Sequence, residues 1–105
     1  MKISSHENTL AVFGLTKLTA ENAAEVRNKI RAELKTHHGL LKIDFSGIEF
    51  LDSSGLGVLI ALQQTICEQN GRIQIHHPNP TSQQILELTR LHRIFELILP
   101  PNEES

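Results

Sequence analysis

Cysteine occurs once, at position 67, in a chain of 105 residues. An internal disulfide is therefore excluded, and because Cys67 falls in an apolar helical pattern it is expected to be a buried thiol rather than a redox group. No apolar run approaches the roughly 20 residues that a membrane-spanning helix needs, so no direct membrane insertion is expected. The opening residues, MKISSHENTL, lack the apolar core of a secretory signal, and a cytoplasmic location follows as the expectation. Basic residues are few and spread thinly: 10 Lys and Arg stand against 12 Asp and Glu, for a formal net charge of -2. That balance argues against nucleic acid as the main partner. Internal repeats and linkers are also missing. Residues 1 to 105 are read as one domain, which at this size buries roughly two thirds of its unfolded surface in one core.

What is present alternates between strand-like and helix-like segments. TLAVF (9 to 13) is short, apolar and closed by Gly14, which predicts a strand, with residues 2 to 5 able to pair with it as a hairpin. After a loop LTKLT, Thr19 is placed to cap a helix carrying Ala23, Val26, Ile30 and Leu34 at intervals of three and four. That helix is expected to end near Gly39, after His37 and His38. LLKIDF (40 to 45) alternates as a central strand, and a second helix is expected from about Gly55 to Gln69, laying Leu56, Leu59, Ile60, Ile66 and Cys67 on a sheet. RIQIH (72 to 76) reads as another strand. Pro80 with a Thr81 or Ser82 cap opens a third helix with Ile85, Leu88 and Leu91 apolar, and IFELIL (94 to 99) is a last strand before a loose polar tail at 100 to 105. This order predicts an α/β domain with a mixed, mostly parallel sheet of four to five strands and three to four helices packed on it.

FLDSSGLGVLIAL (50 to 62) puts an aspartate, two serines and two glycines at the joint between a strand and a helix. In parallel sheets such joints lie where ligands and partners meet the domain. The simplest reading is capping: Asp52, Ser53 or Ser54 accepts a first-turn N-H, while Gly55 and Gly57 permit close approach. Capping needs only one of these side chains, so a hydroxyl is left free. A phosphate there would add roughly -1.5 to -2 charges beside a helix N-terminus that tolerates an anion, and would repel an acidic partner without unfolding the domain.

Other chemistries fit the residues less well. A dinucleotide fingerprint fails because its third glycine would fall on Ile60, and no phosphate-binding lysine follows. D-S-S-G is not the G-x-S-x-G elbow of a serine hydrolase. The pairs His37-His38 and His76-His77 cannot chelate a metal through both rings, since neighbours diverge on a helix and oppose on a strand; solvated or capping roles are expected. Glu21, Glu25, Arg27, Lys29, Arg31 and Glu33 make the first helix's solvated face.

Two stretches, IDFSGIEFLDSSGLGVLIAL (43 to 62) and GRIQIHHPNPTSQQILELTRLHRIFEL (71 to 97), resemble the signature segments of STAS domains, specifically bacterial anti-sigma factor antagonists. LTAENAAEVRNKI (18 to 30) extends the resemblance over nearly the whole chain. The resemblance implies a single STAS domain that performs no chemistry itself; no cofactor or metal is expected, and the polar surface and small size point to a monomer when no partner is bound. It implies a partner that is both an anti-sigma factor and a serine kinase of the histidine-kinase-like ATPase type. The unphosphorylated antagonist binds that partner and releases a sigma factor. Phosphorylation of the second serine, here Ser54, ends the binding, and a PP2C-type phosphatase restores it. Asp52 and Ser53 would shape the site, and Gly55, Leu56 and Gly57 would open the helix that the partner contacts. Thr19 stands where many members carry an acidic residue in the partner footprint, and Arg90 where glycine is frequent. The alternative is a STAS subunit with another partner, such as a lipid-transport ABC assembly or a stress-signalling scaffold.

Overall fold

The structure, a computed structural model, describes residues 1 to 100. Lys2–His6 (β1) and Thr9–Phe13 (β2) form an antiparallel hairpin in which His6 pairs with Thr9. Its tight turn places Glu7 at φ 54°, in the left-handed region such turns require. The other strands run parallel to β2: Leu40–Asp44 (β4), Arg72–His76 (β6) and Glu96–Ile98 (β7), in the order β1-β2-β4-β6-β7. The fold is therefore the mixed, mostly parallel five-stranded sheet that the sequence predicts.

Alternation decides which side of the sheet is covered. Leu10, Val12, Leu41, Ile43, Ile73 and Ile75 are all buried and join one core with Val26 and Ile30 of the first helix and Leu59, Leu62 and Ile66 of the second. Each fully buried aliphatic side chain contributes about 1.5–3 kcal/mol. The intervening residues Lys42, Asp44, Gln74 and His76 sit half-buried on the opposite face.

Two further strands escape the sequence pattern. Lys17–Leu18 (β3), within the expected loop, pairs in parallel with Phe50–Leu51 (β5) as a separate ribbon. Strands of two residues are too short for alternation to reveal.

The helices differ from expectation at their ends. The first, α1, spans Ala23–Glu33 rather than Thr19 to Gly39. Thr19 does not cap it: residues 19 to 22 form a turn, in which Asn22 Oδ1 accepts the Thr19 N-H at 3.0 Å and the Thr19 carbonyl accepts the N-H groups of Asn22 and Ala23. At the other end Leu34 turns extended, and His38 is buried rather than solvated. Its Nδ1 accepts the Lys35 N-H at 2.9 Å and its Nε2 meets Ser5 Oγ at 2.8 Å. His38 is thus a neutral cap, its pKa lowered by burial and then by His37 and Lys35, and not a charge on the helix dipole.

The second helix, α2, spans Ser53–Cys67 and buries Gly55, Val58, Leu59, Leu62 and Ile66. Cys67 is exposed and Ile60 is 40% exposed, against the expectation that both face the sheet. Apolar residues surround this helix, and its phase is set by where the sheet lies. The third, α3, spans Pro80–Leu88 with Asn79, not Thr81 or Ser82, as its cap: Asn79 Oδ1 accepts the Ser82 N-H at 2.7 Å. Leu88 is exposed and Leu86 buried, so the face again shifts. Arg90 is exposed at φ 63°, left-handed backbone that favours glycine, and a short 3-10 turn, Leu91–Arg93, leads into β7. The last strand is shorter than 94 to 99, and the expected loose tail lies, apart from Pro100, outside the described residues.

Candidate functional site

The ribbon of β3 and β5 draws together two chain segments that precede α1 and α2. Leu18 and Leu51 pair, and the Asp52 N-H points to the Leu18 carbonyl at 3.4 Å. Asp52 then does two things with one carboxylate. Oδ1 accepts the Gly55 N-H at 3.0 Å, which caps α2, and Oδ2 accepts the Ala20 N-H at 3.0 Å, which holds the turn before α1. These two bonds, Gly55 first, lower the Asp52 pKa, because each favours the charged carboxylate.

With capping assigned to Asp52, Ser53 and Ser54 occupy the first turn of α2 as helical residues, two positions earlier than expected. Both are exposed, and neither hydroxyl engages in any described hydrogen bond. Gly55 is buried, and a β-carbon there would collide with the Leu18 carbonyl, so this glycine is required by close approach. Gly57 is different: the space beside it is open, and no close approach calls for it. Leu56 is half-buried against the core. Of the residues singled out from the sequence, Thr19, Ser53, Ser54 and Gly57 present surface, while Asp52 organises them and Gly55 packs beneath.

Two open grooves flank this joint. One, of about 570 Å³, is lined by Lys17, Thr19, Phe50, Asp52 and Thr81 among others. Phe50 is 64% exposed there, a large apolar side chain left out of the core. The sequence reading missed it, and nothing in the pattern separates it from Ile48, two residues earlier and buried. Lys17 and Glu21 pair at 2.7 Å on the rim. The other groove, of about 380 Å³, follows the seam between α1 and α2 and contains Ser54 and Gly57.

Neither groove includes any of the six histidines, so no imidazole is placed to deprotonate Ser54. His76 and His77 instead border a depression on the other sheet face, with ring centroids 6.1 Å apart. Among the described residues no group of three His, Cys, Asp or Glu side chains could hold a metal ion, and no helix is long and apolar enough to cross a membrane.

Residues 2–100 match the family model described as Mlab, STAS domain. The structure is similar to that of a Thermotoga maritima protein proposed to be an anti-sigma factor antagonist, with 22% identity over 94% of this chain and 86% of that one and a TM-score of 0.84. It is also similar to the anti-sigma factor antagonist SpoIIAA in its unphosphorylated form, at 19% identity over 97% and 88% of the two chains, TM-score 0.76. The phosphorylated form of the Bacillus cell fate determinant SpoIIAA aligns at 20% identity over 97% and 91%, TM-score 0.69. At these identities the structural likeness establishes the fold.

Proposed function

The chain belongs to the STAS domain family, and from that premise we propose that it is a phosphorylation-switched protein-binding module of the anti-sigma factor antagonist kind. In its unphosphorylated state it binds an anti-sigma factor that is also a serine kinase with a histidine-kinase-like ATPase fold, and a sigma factor is released. Ser54 takes the phosphoryl group and the complex dissociates; a PP2C-type phosphatase reverses the step. The chain is a substrate and a ligand in this cycle, not a catalyst.

The observation that carries this reading is the division of labour at the joint. Asp52 supplies the α2 cap and also binds the Ala20 N-H of the adjoining turn, which leaves Ser54 exposed and uncommitted at the start of α2, beside the α1–α2 groove. A phosphate on that hydroxyl adds roughly two negative charges to a surface while breaking no described hydrogen bond. The exposed Phe50 supplies the apolar anchor that a docking surface needs next to the switch.

A second reading is favoured by two observations. Thr19 stands at the position where many family members carry an acidic residue, although Glu21 and Glu49 also line that groove, and the matching family model is described by Mlab rather than by an antagonist. On that reading the same surface serves a different assembly, such as the ATPase of a lipid-transport system, and Ser54 is not a switch.

The two readings separate in one test. The purified chain is incubated with ATP in lysate of its source cells, and phosphate is mapped by tandem mass spectrometry. The switch requires phosphate on Ser54, with none gained at that peptide by Ser54→Ala. A chain that stays unmodified under conditions where other serine kinases act contradicts it.

A further inference from the structure

Arg27 departs from the rest of its helix. Glu25, Lys29, Arg31 and Glu33 are exposed, as a solvated face should be, but Arg27 is half-buried and its Nε lies buried with no described hydrogen-bond partner. A guanidinium has five donors and no way to shed its charge, so a buried Nε without an acceptor is a cost that calls for a reason. Its position supplies one. Arg27 lines the α1–α2 seam together with Ser54, and no carboxylate lines that groove to neutralise it.

The walls between the two are small. Ala23 and Ala24 stand one turn before Arg27 on α1, and Gly57 stands one turn after Ser54 on α2, with open space where its β-carbon would be. The groove of about 380 Å³ is therefore a space with a cation on one helix, a free hydroxyl on the other and little side chain between.

We propose that Arg27 is the internal cation that receives the phosphate carried by Ser54, pairing with it across the α1–α2 seam. The inference rests on the reading that Ser54 is phosphorylated. In that step the Ser54 Oγ bonds to the γ-phosphorus of a nucleoside triphosphate as the bond to the bridging oxygen breaks; the nucleoside diphosphate leaves and the hydroxyl proton is released. Arg27 then donates two parallel N-H bonds to phosphate oxygens, the fork geometry for which guanidinium is suited and lysine is not. The phosphate is drawn into the seam instead of standing free in solvent. The switch thus changes both helices' surface: Ser54 gains charge, and Arg27 is occupied.

The test uses the full chain with phosphoserine installed at position 54, followed by ³¹P NMR through the second ionisation of the phosphate. Pairing with Arg27 is expected to lower that pKa relative to phosphorylated Arg27→Gln by about one unit, tenfold in proton affinity, with Arg27→Lys between them. Coincident titrations of wild type and Arg27→Gln overturn the proposal. A second measurement needs no variant: the Arg27 Nε-H resonance of the wild-type chain is expected to move downfield and exchange more slowly when Ser54 is phosphorylated, and an unchanged resonance also overturns it. Partner affinity indifferent to phosphate would refute the switch and leave this pairing standing. Coincident titrations with phosphate-sensitive affinity would do the reverse.

Discussion

Asp52 and Ala20 are 32 residues apart in sequence, yet the Asp52 carboxylate accepts the Ala20 backbone N-H at 3.0 Å. The same side chain caps α2 through Gly55, so one aspartate fixes the turn before α1 and the first turn of α2 relative to each other. Half-buried Thr19 on one segment and exposed Ser54 on the other owe their relative placement to this bridge.

The bridge has a pH signature. Hydrogen bonds from Gly55 and Ala20 lower the Asp52 pKa below its usual 3.8, so the folded state holds the proton less tightly than the unfolded one. The stability contributed is complete above the usual value and is lost as pH falls through the folded value. Urea midpoints of the wild type are therefore expected to fall more steeply than those of Asp52→Asn on acidification below about pH 4. Parallel acid limbs would show that the carboxylate charge is not used.

The two glycines of the joint should respond in opposite ways. Gly55→Ala drives a β-carbon against the Leu18 carbonyl and is expected to cost about 1–3 kcal/mol, the range for overpacking a filled site. Gly57→Ala meets open space within a helix and is expected to stabilise by about 0.5–1 kcal/mol. Chemical denaturation of both variants checks the pair, and equal effects would contradict the packing described for Gly55.

His38 makes stability depend on pH near neutrality. Its folded pKa lies below the usual 6.5, so the unfolded chain binds the proton first; stability is full above that value and declines as pH falls toward the folded value. His76, lowered mainly by burial and then by Lys42, adds a term of the same sign. His38→Ala leaves the Lys35 N-H without its acceptor and is expected to cost about 1–3 kcal/mol at pH 7.5. It should also flatten, though not abolish, the fall in urea midpoint between about pH 7 and pH 5.5.

Phe50 tests the docking surface without touching the fold. Because it is largely exposed, Phe50→Ala is expected to change the unfolding free energy by less than about 0.5 kcal/mol. Partner affinity should nevertheless drop by about tenfold or more, as for an aromatic anchor. Calorimetric titration of the two forms with the captured partner measures this, and unaltered affinity would place the interface elsewhere.

Legibility in the sequence followed the length of the pattern and the variety of its surroundings. β4 and β6 alternate over five residues each and were readable, as was the pairing of β1 with β2. The ribbon of Lys17–Leu18 with Phe50–Leu51 was not, because no period fits in two residues. That ribbon is what makes Thr19 part of the site rather than a helix cap. Cys67 and Leu88 were assigned to the core because they fit an apolar spacing, but each helix offers more apolar positions than its sheet-facing stripe can use. DSSG was legible as a joint of strand and helix, while the assignment of capping to Asp52 and the bridge to Ala20 depend on a contact between distant segments that local spacing does not contain. Arg27 was placed among solvated charges for the same reason: its separation from them arises only when α2 packs alongside.

The most direct measurement is affinity capture from lysate of the source cells with Ser54→Ala and Ser54→Asp as parallel baits, the bound proteins identified by mass spectrometry. A serine-kinase-type ATPase retained by Ser54→Ala and lost from Ser54→Asp, with both baits equally folded, is the expected result. Recovery of the same transport or scaffold proteins on both baits would contradict the switch and leave Ser54 as an ordinary first-turn serine.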